Sequence, residues 1–278
     1  MKDLIIGAST NYNWDKLKYW INSINQSGFE GDKVLILMNC DKDTVIKVSE
    51  AGFKIIGFQQ DKNQNLFHET KMPIHVERFW HIYDYLRENE YRYVITTDVK
   101  DVIFQQNPID WLEANLISHN LVFSSESILY KDEPWGNNNL LETYGHAIHD
   151  IYKENEIYNV GVVAGTGSAM RDLAVNIFTS AINRPIPICD QSTFNFMISM
   201  SPYKETSKYV RSEDGWACQL GTTADPNKIA EFKPFLLEPT PILKGNNMTT
   251  STGVPYYIVH QYDRNPVLRD VIEAKYNG

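Results

Sequence analysis

The stretch YVITTDVKDVIFQQNP, residues 93–108, carries the reading on which the rest depends. Tyr93 to Thr97 is apolar and β-branched, as a buried strand requires, and it hands the chain directly to Asp98 and Asp101. Open α/β sheets bind their ligands at the carboxyl ends of such strands. In an extended chain two residues three apart face opposite sides, whereas a turn beginning after Asp98 brings both carboxylates together. So placed, they make a hard oxygen site for Mg²⁺ or Mn²⁺, an ion that can also bridge a diphosphate. The plainer alternative is that one aspartate caps a turn and the other is solvated. Asn107-Pro108 then offers a helix start, since proline is tolerated in the first helical turn.

Working outward, strand and helix patterns alternate through the first half, the mark of an α/β sheet with crossover helices. Strands are expected at Leu4–Ile6, Val34–Met38, Phe53–Phe58, Leu121–Ser124, Tyr158–Ala164 and Tyr256–Val259. Helical spacing is expected around Leu17–Ile24, over residues 42–51, from Val76 to Leu86, and from Ser168 to Ile182. The segment containing Glu133, Pro134, Trp135 and three consecutive asparagines reads as a polar loop, and residues 201–255 as irregular. There is no internal repeat and no linker, so a single domain over 1–278 is the simplest expectation.

Composition narrows the field. The formal charge of −9, with no basic run, argues against a nucleic acid or an anionic membrane as partner. Three widely spaced cysteines, without a CxxC pair, point to reduced thiols. The opening MKDLIIGAST has too short an apolar run for a signal peptide or a membrane span. A cytoplasmic protein without a transmembrane segment is therefore expected, one that a bacterium or virus could encode, and the sequons at Asn25 and Asn247 carry no weight. The sixteen tyrosines, twelve phenylalanines and six tryptophans suit both a large core and surfaces that stack on sugars.

Together with the preceding helix IHVERFWHIYDYLRENEY (residues 74–91), the run VITTDVKDVIFQQNP resembles the region around the Asp-x-Asp motif of GT-A glycosyltransferases. It is most similar to the GT8-like and algal-virus-type enzymes, which carry an Asp-Val-(Arg/Lys)-Asp variant. YNVGVVAG (158–165), DQSTFNFM (190–197) and IVHQYDR (258–264) resemble further motifs of that family, in the same order. The resemblance implies a GT-A fold: a Rossmann-like mixed sheet flanked by helices, with a nucleotide-binding half (1–104) and a sugar- and acceptor-binding half (105–278). It implies a metal-dependent transferase that moves a sugar from a nucleoside diphosphate, UDP above all, to a hydroxyl of a glycan or similar acceptor.

Carried over by position, the resemblance assigns the nucleoside to Ala8, Ser9, Thr10 and Tyr12, and further donor contacts to Arg78, Thr97 and Val99. Asp98 would meet the ribose or the metal. Asp101 and His260 would complete the metal shell, and a carboxylate–imidazole set leans toward Mn²⁺ over Mg²⁺. Asn159, Gly161, Asp190 and Gln191 would line the transferred sugar, although Asp190 could equally cap the helix that follows it. Trp135 is either an acceptor platform or the anchor of a surface loop. Glu126 and Asp214 are candidates for a general base. Lys100 occupies the place of the second carboxylate in the commoner motif, where it could weaken the metal site or steady the phosphates.

Two other activities share these features: a sugar-phosphate nucleotidyltransferase, and a nucleotide- or glycan-binding protein without catalysis. The first usually has a glycine-rich basic loop after the first strand, where this chain reads GASTNYN (7–13). Gly165-Thr166-Gly167 followed by Met170 imitates a dinucleotide fingerprint but lacks its third glycine and its later acid.

Overall fold

The computed structural model describes residues 1–58 and 73–277. Its centre is a seven-stranded sheet built from β1 (Leu4–Thr10), β2 (Asp32–Met38), β3 (Lys54–Phe58), β4 (Tyr93–Thr97), β6 (Leu121–Leu129), β7 (Glu156–Thr166) and β8 (Ser207–Val210). Their spatial order is β3-β2-β1-β4-β7-β6-β8. β7 runs antiparallel to both neighbours and the other pairings are parallel. A second sheet of three short strands, in the order β5-β12-β9, contains β5 (Val102–Phe104), β9 (Ala217–Gln219) and β12 (Ile258–His260). β10 (Ile242–Lys244) and β11 (Asn247–Thr249) form a separate hairpin.

The period of two along each strand sends alternate side chains to two cores. Leu4, Ile6, Val34, Ile36, Val94 and Val163 pack on one face of the large sheet. There they meet α3 (Ile74–Glu88) and α6 (Gly167–Ala181) through Val76, Phe79, Ile82, Met170, Leu173 and Ile177. Ile5, Leu35, Leu37, Ile95 and Val162 face the other way, onto α1 (Trp14–Gln26), α2 (Lys42–Glu50) and α4 (Pro108–Asn115). Burial on both faces explains why these strands read as continuous apolar runs. The small sheet has its own core, in which Ile103, Cys218 and Val259 pack with Leu268 and Ile272 of α8 (Pro266–Lys275).

One expectation fails. The presumed polar loop after residue 133 is α5 (Pro134–Tyr152), broken by a kink at Gly145, whose φ is 74°. Glu133 caps it, its carboxylate accepting from Trp135 N and Gly136 N, and Pro134 opens the first turn. Polar and small residues can coat a helix held at one end by a cap and along one side by α7 (Asp190–Ile198), where Asn139 Oδ1 accepts from Ser192 Oγ. The stretch 201–255, read as irregular, is broken into single turns and short strands, one of which, β8, joins the large sheet beside β6. The Gly165/Gly167 imitation lies at the end of the sheet opposite Asp98, because β7 pairs Thr166 with Tyr93 at the start of β4. A Cβ on Gly167 would run into the Tyr91 carbonyl, so this glycine serves close backbone packing. Among the described residues no helix is long and apolar enough to cross a membrane.

Candidate functional site

The chain leaves β4 at Thr97, bends through Asp98–Asp101 and becomes extended again as β5 in the other sheet. Both ends of this bend are pinned by backbone bonds: Asp98 N donates to Gly161 O (2.9 Å), and Gln261 N donates to Asp101 O (2.7 Å). The bend turns the two carboxylates to one side, where His260 joins them from the end of β12. One ligand atom from each of Asp98, Asp101 and His260 lies within 4.8 Å of the others. His260 Nε2 is 3.5 Å from Asp98 Oδ2 and 3.6 Å from Asp101 Oδ1.

The ring of His260 is oriented from behind. Gln219 is its register partner across β9 and β12, so the two side chains share a face. Gln219 Oε1 lies 2.7 Å from His260 Nδ1, while Gln219 Nε2 donates to Ser124 Oγ at 2.8 Å. Nδ1 therefore carries a proton, and Nε2 is the nitrogen presented to the carboxylates. Burial alone would depress the imidazole pKa, but Asp101 and Asp98 outweigh it and raise it to about 9. Without a cation the ring is thus an imidazolium near neutral pH, and a bound cation would take the place of the Nε2 proton. Two carboxylates and one such nitrogen fit Mn²⁺ and tolerate Mg²⁺.

Gly161 is what allows these groups to meet. A Cβ added there would lie 2.5 Å from His260 Cε1 and 2.8 Å from Asp98 Oδ2. On the far side of Asp98, α3 presents the buried Arg78, which pairs with Asp98 and lies 3.2 Å from Asp190 Oδ2 at the start of α7. Desolvation opposes the Asp98 charge, yet Arg78 and His260 override it and hold its carboxyl well below the usual range. Asp190 differs: burial dominates, and its pKa is raised despite Arg78.

Two neighbouring cavities meet at His75, Arg78, Asp98 and Arg264, which line both. The smaller, of about 230 Å³, is walled by Ala8, Ser9, Thr10 and Tyr12 at the end of β1, with Val99, Lys100 and Asp101 opposite. The larger, of about 490 Å³, contains Glu126, Asn159, Gly161, Asp190, Gln191 and His260 on its inner side. Trp135, 52% exposed, stands at the same cavity with Asp225 and Phe232. Lys100 Nζ is held by Asp263 Oδ2 at 2.8 Å.

Two expected residues line neither cavity. Thr97 is buried beneath the bend, its Oγ1 accepting from Trp20 Nε1 at 2.8 Å. Asp214 sits in an exposed turn, where its carboxylate accepts from Arg211 N at 2.8 Å.

Glu126 reaches the cavity through an irregularity in β6. The register with β7 shifts on either side of Ser125, and Ser127 has a φ of 59°. A bulge of this kind re-aims a side chain. Asn159 Nδ2 and Gln191 Nε2 both donate to Glu126 Oε1, at 2.7 and 2.8 Å. Burial, followed by the neighbouring Glu133, raises the Glu126 pKa, and the two amides oppose that rise.

Sequence reasoning missed Gln219, which lies in the irregular stretch and carries no motif, and it gave Arg264 no role beyond proximity to His260. Arg264 Nη2 is 3.6 Å from Asp101 Oδ2, and its place four residues after His260 was the available signal.

No protein-family model and no curated protein sequence matches the chain. Among solved structures it is similar to mouse xyloside xylosyltransferase 1 in its apo form, with a TM-score of 0.53 and 14% sequence identity. The match covers 93% of this chain and 97% of that one. The mixed seven-stranded sheet flanked by helices is thus the expected GT-A fold, shared with that structure.

Proposed function

We propose that this protein is a glycosyltransferase that moves a sugar from a nucleoside diphosphate donor, UDP-linked in the first instance, to a hydroxyl of a glycan or similar acceptor. The observation that carries this reading is the Asp98–Asp101–His260 cluster at the junction of two cavities. The smaller cavity suits a nucleoside; the larger has room for a sugar ring and part of an acceptor. A bound Mn²⁺ or Mg²⁺ would neutralise the departing diphosphate as a Lewis acid. Arg78 holds Asp98 and Asp190 in fixed positions, and Arg264 is the cation on the Asp101 side. Asn159, Gly161, Asp190 and Gln191 face the transferred sugar, and Trp135 offers an indole face to the acceptor. Most of the acceleration would come from positioning and from charge placed in advance. Within the fold, the four ordered motifs favour kinship with GT8-like and algal-virus-type enzymes.

The test is a donor screen that follows Mn²⁺-stimulated release of nucleoside diphosphate from a panel of activated sugars. Release from at least one UDP-sugar, lost on chelation, is the expected result. Tight UDP binding with no release from any donor would favour a binding protein. Synthesis of a nucleotide sugar from a sugar phosphate would favour a nucleotidyltransferase.

A further inference from the structure

The inner end of the larger cavity is acidic in a way the transfer reaction does not require. Glu126 and Glu133 are both buried, at 8% and 6% exposure, and both line it. Neither has an ion-pair partner among the described residues. Glu133 is satisfied by the N-terminus of α5. Glu126 is only half satisfied. Its Oε1 takes both amide donors, and no hydrogen bond reaches Oε2 from any described residue.

The orientation of those amides is fixed independently. Asn159 Oδ1 accepts from Gly161 N at 2.7 Å, and Gln191 Oε1 from Val160 N at 3.4 Å. Their NH₂ groups are thereby committed to Glu126 Oε1, which leaves Oε2 without a donor among the described residues. Oε2 is therefore the oxygen open to the cavity, where a ligand hydroxyl can donate to it. A ligand carboxylate has no proton to donate and adds a like charge beside two acidic side chains.

We infer that Glu126, backed by Glu133, is a specificity-determining residue that restricts the donor sugar to neutral, hydroxyl-bearing rings and excludes anionic ones such as uronates. The position argues for the donor sugar over the acceptor. Asn159 and Gln191, which hold Glu126, are residues proposed to face the transferred sugar, and Gly161, whose N–H donates to Asn159 Oδ1, lies against His260 and Asp98. This inference rests on the proposed transferase reading, yet it can fail separately, because it concerns binding and not turnover.

The experiment compares a matched pair, UDP-glucose and UDP-glucuronate, which differ by a hydroxymethyl group against a carboxylate. Dissociation constants are measured by calorimetry with Mn²⁺ present, with UDP as reference ligand, for the wild type, Glu126→Gln and Glu133→Gln. The wild type is expected to bind UDP-glucose at least 30-fold more tightly than UDP-glucuronate. Glu126→Gln is expected to narrow that ratio by about tenfold, and Glu133→Gln by less. Equal or tighter binding of the uronate by the wild type would overturn the inference, whichever variants fold. So would an unchanged ratio in a folded Glu126→Gln. Absence of UDP release from every donor, with the binding ratio intact, would instead sink the transferase reading and leave the specificity standing.

Discussion

Asp101 is 8% exposed and has two cationic neighbours, His260 and Arg264, at 3.6 Å each, so its removal leaves the cluster one acid short. Asp101→Ala is expected to lower Mn²⁺-stimulated diphosphate release by at least about 100-fold while the circular dichroism spectrum stays that of the wild type. Full activity in that variant would remove Asp101 from the metal shell. His260 yields a second prediction with a definite sign. Its pKa of about 9 means that near pH 7 a proton competes with the metal for Nε2. Mn²⁺ affinity should therefore climb as pH rises toward 9 and level off above it. Calorimetry in buffers of different ionisation enthalpy should count about one proton released per ion at pH 7. Gln219→Leu, which frees the imidazole to rotate, should weaken Mn²⁺ by about tenfold or more. Asp98 and Asp101 were legible because they stand together at a strand end. Gln219 was not, because its partner lies 41 residues away and only strand pairing unites them.

At the scale of the element, β7 contributes a position where nothing larger than hydrogen fits. Gly161→Ala would press a methyl group between His260 and Asp98 and is expected to abolish metal binding. Gly57→Ala, in β3 with no atom of the described residues within 4 Å of an added Cβ, is the matched control and should leave binding unchanged. Manganese titrations of the two proteins decide the matter; wild-type affinity in Gly161→Ala would mean that the cluster relaxes to make room. Six strands of the large sheet announced themselves in sequence because burial on both faces selects unbroken apolar runs, whereas β8, four residues within a stretch read as irregular, did not. α5 did not, because its wet residues hide the helical period and only the Glu133–Pro134 start marks it. The small sheet was less legible: its strands are three residues long, only the expected Tyr256–Val259 run pointed to one of them, and β5 pairs with β12 more than 100 residues away.

For the molecule as a whole, the proposed donor would bridge two cavities, its nucleoside in one and its sugar in the other. UDP with Mn²⁺, bound as one complex at about 100 times its dissociation constant, should add about 3 kcal/mol of stability by mass action. For a chain of this size that corresponds to a rise of about 5–10 °C in Tm, which differential scanning fluorimetry resolves. Either component alone should give a clearly smaller shift. An equal shift with UDP alone would mean that the nucleotide does not need the ion.

The bend at residues 98–101 spans two sheets, and the third ligand arrives only with β12, near the end of the chain. A nascent polypeptide that has already made both aspartates still has no complete claw for a cation. Capture of a cation by this cluster would be deferred until the last strand docks. The ion would act as a seal on finished assembly, and a chain truncated before His260 would emerge from the ribosome without the third side chain of the cluster.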